Sequence, residues 1–165
     1  MTIIKTVNGD LLNATENYIA QQCNCITCTP HGLSKSISNK FSHGDCYGKR
    51  GRLSRNTAVE EDRSTPGTIE ILKGKPNIIC IFGQWTPGKI NSVWVDRYPK
   101  RNGKKETTKD RLEWFKQGIK EIENQVKDTI AIPYKIGCGL AGGDWVTYKK
   151  ILEESSAKFI IYKID

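Results

Sequence analysis

The run Ile78-Ile79-Cys80-Ile81-Phe82 constrains the fold most. A strand that is apolar at every position, rather than at alternate ones, needs cover on both faces of its sheet. Comparable stretches rich in Val, Ile, Tyr and Thr predict strands over Thr2–Val7, Tyr18–Asn24, Thr68–Leu72, Asn77–Gly83, Thr129–Pro133 and Phe159–Ile164. The cover is supplied by helices. Leu33, Ile37 and Phe41 recur at helical spacing, as do Leu112, Phe115, Ile119, Ile122 and Val126. A third helix is expected from Asp144, as amino-terminal cap, to Ser155. Strands alternating with helices predict an α/β protein whose sheet is mostly parallel. It must be mixed, because the Lys73-Gly74-Lys75-Pro76 turn is too short for a parallel crossover between its two strands.

The 165 residues suit a single domain spanning 1–165. With 37% hydrophobic and 27% charged residues, the composition is that of a globular chain rather than a disordered one. No apolar run approaches the roughly 20 residues that span a bilayer, and the first residues lack a secretory pattern. A cytoplasmic location, or a nuclear one, is therefore expected, with no membrane partner. Six cysteines scattered through apolar segments fit reduced thiols better than a disulfide framework. Cys23, Cys25 and Cys28 lack a second ligand pair, so neither a metal nor a cofactor is expected.

The net charge of +8 concentrates in Lys49–Arg55 and Arg97–Arg111. The first falls in the segment 43–66 and the second starts in the segment 84–107, two segments that show no periodicity and read as long loops. They suit either an anionic partner, nucleic acid included, or a solvated surface, and no aromatic residues alternate with the charges as on a base-stacking surface.

Chemistry concentrates at two places where a strand leads through a loop into a helix. In the first, Ile130 to Trp145, Gly137, Gly139, Gly142 and Gly143 create a turn in which backbone amides can approach a phosphate closely. Gly137, Gly139 and Gly142 satisfy GxGxxG, but a dinucleotide fingerprint opens a longer βαβ unit than the remaining chain allows, and no P-loop Lys-Ser/Thr follows. The second runs from Gln22-Cys23-Asn24-Cys25 through His31-Gly32-Leu33-Ser34. There Asn24 can donate to and accept from a sugar hydroxyl, and His31 can act as acid, base or phosphate ligand.

These segments, with Gly9-Asp10-Leu11-Leu12, Phe82-Gly83-Gln84 and Ile136-Gly137-Cys138-Gly139-Leu140-Ala141-Gly142-Gly143-Asp144-Trp145, resemble the macro domain family. The likeness is to its small single-domain viral, phage and bacterial subset, often labelled as processing ADP-ribose 1″-phosphate, and to the branch that removes ADP-ribose from glutamate. It implies a three-layer α/β/α fold with a mixed, mostly parallel central sheet. It also implies a monomer that binds ADP-ribose or a derivative, which can be carried on protein or nucleic acid.

By that resemblance Asp10 and the Leu11 amide hold the adenine, and Asn24 touches the distal ribose. Gly32 and Leu33 form one phosphate loop, and Gly137, Cys138, Gly139, Leu140, Ala141 and Gly142 the other. The family's glutamate-releasing branch uses a strand lysine and a loop aspartate, where this chain has Gln84 and Ala141. A lysyl-adduct route is therefore not expected. His31, Asn24 and Asp144 are instead the catalytic candidates for hydrolysis at the distal ribose. The alternatives are an ADP-ribose reader without chemistry and a basic nucleic-acid-binding module.

Overall fold

The computed structural model describes residues 4–138 and 141–164. Its main sheet contains β1 (Lys5–Asn8), β2 (Tyr18–Asn24), β5 (Ile69–Leu72), β6 (Asn77–Gln84), β7 (Ile130–Pro133) and β8 (Phe159–Lys163). The order is β1-β8-β7-β2-β6-β5. All neighbours are parallel except β5 and β6, the pair joined through Lys73–Pro76. Helices α1 (Leu33–Lys40), α3 (Thr108–Gln125) and α4 (Trp145–Glu154) pack around this sheet.

The apolar runs are divided between two cores, as a sheet covered on both faces requires. From β6, Ile79 and Ile81 join Phe115, Ile119 and Ile122 of α3 and Tyr148 and Leu152 of α4 on one face. Ile78, Cys80 and Phe82 point the other way, towards Ile37 of α1, Cys46 and Tyr47. Each isoleucine of this strand is fully buried. Such burial contributes roughly 1.5–3 kcal/mol per side chain. The result is three layers, α/β/α. Helix α3 is also fixed at its start: Thr107 Oγ1 accepts from the Asp110 amide at 3.1 Å, and Asp110 accepts from the Thr107 amide at 2.9 Å.

The expected loops contain short elements that no periodicity could reveal. In the first, β3 (Arg52–Ser54) and β4 (Thr57–Ala58) pair as a small antiparallel ribbon. In the second, α2 covers Val93–Arg97.

The two basic stretches are not wholly solvated. Arg50 is only 5% exposed. It donates to the Thr27 and Asn24 carbonyls and to Ser64 Oγ, and its guanidinium lies 4.9 Å from the Tyr47 ring centre. Arg111 is buried against Glu106. Neither is available as a surface phosphate contact.

Candidate functional site

A cavity of about 290 Å³ opens where β2, β6 and β7 end, between the turns that follow them. In open α/β sheets, ligands occupy the crevice at the carboxyl ends of parallel strands. Asn24, His31 and Leu33 line it from the first turn, and Lys135, Gly137 and Ala141 from the second. Gln84 lines it from β6.

The pairing of β2 with β6 is in register from Tyr18 to Cys23, then shifts so that Asn24 faces Gln84. A bulge of this kind re-aims a side chain at a strand end. Asn24 Oδ1 accepts from the Ile26 and Thr27 amides at 3.1 and 2.9 Å, which commits the oxygen and leaves its NH2 as the donor on the cavity side. Beside it, Gln22 Nε2 donates to Gln84 Oε1 at 2.8 Å, and Gln84 Nε2 donates to the Thr86 carbonyl. Gln84 is thereby tied at both ends. Gln22 Oε1 is buried in the cavity wall without a hydrogen-bond donor among the described residues. A Cβ on Gly83 would come within 2.6 Å of that oxygen, so a side chain there would displace the Gln22 carboxamide.

His31 is exposed and lines the cavity. Gly32 occupies the cap position of α1 with φ +55°, and no side chain caps the helix. Leu33 and Ser34, in its first turn, where backbone amides lack helical partners, line the cavity. Asp144 departs from expectation. It holds the cap position of α4 but makes no side-chain hydrogen bond to the backbone, accepting instead from Thr147 Oγ1 at 2.6 Å. It does not line the cavity.

In the second turn Lys135 and Gly137 have φ of +60° and +73°. A Cβ on Gly137 would lie 2.7 Å from both Gln22 Oε1 and the Tyr148 ring, so glycine is required by space as well as by backbone. The Cys138 amide donates to the Lys135 carbonyl at 2.9 Å and is spent inside the turn, contrary to the role expected of it on a diphosphate. Burial pushes the Cys138 thiol up to about 11, which leaves it a poor nucleophile at neutral pH. Gly142 has φ +78° and faces the Lys89 side chain rather than the cavity. Gly139 and Leu140 lie outside the described residues.

Asp10 stands just beyond β1 and does not line the cavity; its Oδ1 caps the short turn Leu11–Asn13 by accepting from the Leu12 amide at 2.9 Å. The Leu11 side chain is buried in the core.

No protein-family model matches the sequence, and no curated protein is detectably similar to it. Solved structures are. The macrodomain of Mycobacterium tuberculosis DarG aligns over all of both chains at 18% identity with a TM-score of 0.65. That of Thermus aquaticus DarG aligns equally fully at 18% and 0.63. The chain has the macro domain fold. A Trypanosoma brucei macrodomain shares it at 12% identity and 0.54, with 98% of this chain and 61% of that one aligned.

On this macro domain scaffold several cavity residues carry no signal in the sequence. Tyr47 reaches the wall from the irregular segment after α1, and its hydroxyl accepts from the Asn24 amide at 3.0 Å. Lys135 brings a cation to the rim, 5.6 Å from the Tyr134 ring centre. Arg111 lies behind the site and donates to the carbonyls of Gly88 and Ala141, at 2.6 and 3.0 Å, which ties two walls of the macro domain's cavity to α3. No aspartate or glutamate lines the cavity among the described residues.

Proposed function

We propose that the protein binds ADP-ribose, or a derivative of it, in this cavity and hydrolyses a bond at the distal ribose. The observation that carries the reading is a cavity at the carboxyl ends of parallel strands with no carboxylate in its wall among the described residues, with the uncapped first turn of α1 on one side and the Gly137 turn on the other. Such a surface attracts a diphosphate through backbone amides and helix charge. Gly32, Leu33 and Gly137, with Gly139, Leu140 and Ala141 of the segment that follows, would hold the diphosphate. Adenine would lie towards Asp10 and Leu11, and the distal ribose towards the Asn24 side-chain NH2.

His31 is the acid–base group on the cavity wall suited to move a proton to or from water or a leaving group. Asp144, engaged with Thr147 and away from the cavity, is the weaker candidate. A second reading, an ADP-ribose reader without chemistry, is favoured by the same lack of a cavity carboxylate. Calorimetry with ADP-ribose tests the binding step. Phosphate release from ADP-ribose 1″-phosphate, and release of ADP-ribose from an ester-linked conjugate, test the reaction; binding without either product selects the reader. The chain's location in the cell, expected to be cytoplasmic, belongs to the same proposal.

A further inference from the structure

Three thiols far apart in sequence meet behind the cavity. Cys23 of β2, Cys80 of β6 and Cys46 of the segment following α1 place their sulfur atoms within 4.8 Å of one another. All three are at most 1% exposed. Sulfurs bound at about 2.3 Å to one centre, at trigonal or tetrahedral angles, lie roughly 3.8–4.0 Å apart. The trio is therefore within a small adjustment of a metal-ligating set. The spacing of Cys23, Cys25 and Cys28 gave no reason to expect a metal, because only the pairing of β2 with β6 brings Cys80 beside Cys23.

A second observation concerns charge. Arg50 is buried and contacts carbonyls and a hydroxyl, with no carboxylate partner among the described residues. Its guanidinium lies 4.9 and 5.7 Å from the Tyr47 and Phe82 ring centres, and both rings belong to the buried cluster that holds Cys23, Cys46 and Cys80. A buried charge is stable only when compensated. Three thiolates around a divalent ion carry one net negative charge, which the guanidinium balances.

We infer that Cys23, Cys46 and Cys80 form a structural site for one thiophilic divalent cation of the zinc type, with Arg50 as its counter-charge. The Tyr47 hydroxyl, which accepts from the amide of Asn24 next to Cys23 in the chain, is the oxygen we assign to a fourth position. On binding, three S–H protons pass to the buffer and three metal–sulfur bonds form; no electron is transferred. The ion enters as the chain folds, since the sulfurs are closed to solvent afterwards. It fastens the segment bearing Cys46, Tyr47 and Arg50 to the sheet, and it is independent of the proposed ADP-ribose chemistry.

The test is to unfold the reduced full chain, refold it with cobalt(II), and record thiolate-to-cobalt charge-transfer absorption together with native mass. One ion per chain and intense near-ultraviolet bands are expected in wild type and in Cys25→Ala. Cys46→Ala and Cys80→Ala, checked by circular dichroism, should lose affinity by more than the roughly 10- to 100-fold that loss of an outer-shell partner costs. If those variants do not fold, the wild-type spectrum and mass still decide. No bound ion in wild type, bands without thiolate character, equal affinity in folded Cys46→Ala and Cys80→Ala, or a disulfide among the three in the purified protein would overturn the assignment.

Discussion

Arg111 grips Glu106 at both carboxylate oxygens, Nε to Oε2 and one terminal nitrogen to Oε1, each at 2.9 Å. Glu106 also accepts from the Trp85 and Thr86 amides at 2.9 Å, and the opposite side of the guanidinium reaches the carbonyls of Gly88 and Ala141. The pair thus fixes the chain leaving β6 and the turn after β7 in one framework. Removing one partner of a buried pair typically costs about 3–5 kcal/mol, so Arg111→Met should lower urea-unfolding stability by that order and loosen the cavity. Arg111→Lys should restore little, because an ammonium cannot reproduce the planar fork.

The same carboxylate sets an acid limit. Burial would raise Glu106, but the hydrogen bond and charge of Arg111, with donors from Thr86 and Trp85, outweigh it and hold the carboxyl below its usual range. A depressed folded-state value contributes stability above the unfolded carboxylate range, around pH 4.3, and loses it as pH falls from there through the folded value. Denaturant titrations in steps from pH 6 to 3 should show this decline, and Glu106→Gln should flatten it.

His31→Ala and Asn24→Ala, although both residues line the cavity, should behave differently. His31 is exposed, so its loss should change stability by no more than about 0.5 kcal/mol. If it moves a proton in hydrolysis, turnover should fall about 10²- to 10⁴-fold at nearly constant substrate affinity. Unchanged turnover at saturating substrate removes it from the mechanism. Asn24→Ala leaves the buried amides of Ile26 and Thr27 without their acceptor and should cost about 1–3 kcal/mol of stability besides any catalytic effect. Asn24→Asp keeps the acceptor for those amides while replacing the donor with a negative charge, so it should spare stability and weaken binding of an anionic ligand.

Asp10→Ala removes both the cap of the Leu11–Asn13 turn and the proposed adenine acceptor. Losing a charge-assisted hydrogen bond costs about 1.5–3 kcal/mol, or roughly ten- to a hundredfold in affinity for ADP-ribose by calorimetry. Asp10→Asn preserves an acceptor for the Leu12 amide while adding a donor. A loss confined to Asp10→Ala would assign the effect to the turn rather than to the base.

Gly137→Ala and Gly142→Ala separate space from backbone. Both need positive φ, at about 1–2 kcal/mol for an added Cβ. At Gly137 the new carbon also meets Gln22 Oε1 and the Tyr148 ring, whereas at Gly142 it meets the flexible Lys89 stem at 3.0 Å. Urea unfolding should therefore rank Gly137→Ala as clearly the more damaging.

What could be read from the sequence follows how far each signal extends along the chain. The continuous apolar run of β6 announced a doubly covered strand, and the stripe Phe115, Ile119, Ile122 announced α3. The β3–β4 ribbon did not, since strands of three and two residues hold too few side chains for a period. The bulge at Asn24 was invisible because register belongs to a pair of strands, not to one. Arg111 and Arg50 were hidden among surface-like cations, and their burial depends on carbonyls and a carboxylate that only the folded chain gathers. Cys46 and Cys80 had no motif between them for the same reason.

The burial of Arg50 and Arg111 also divides the protein's response to ionic strength. Mobile ions screen charges that face solvent within about 10 Å at 0.1 M salt, but hardly reach a guanidinium enclosed by carbonyls. Salt should therefore weaken any loose attraction between the exposed lysines and a polyanion while leaving the internal cations and the walls they brace almost untouched. Any grip on a nucleic acid and the integrity of the cavity would thus be governed by separate sets of positive charge, and raising salt offers a way to remove the first without disturbing the second.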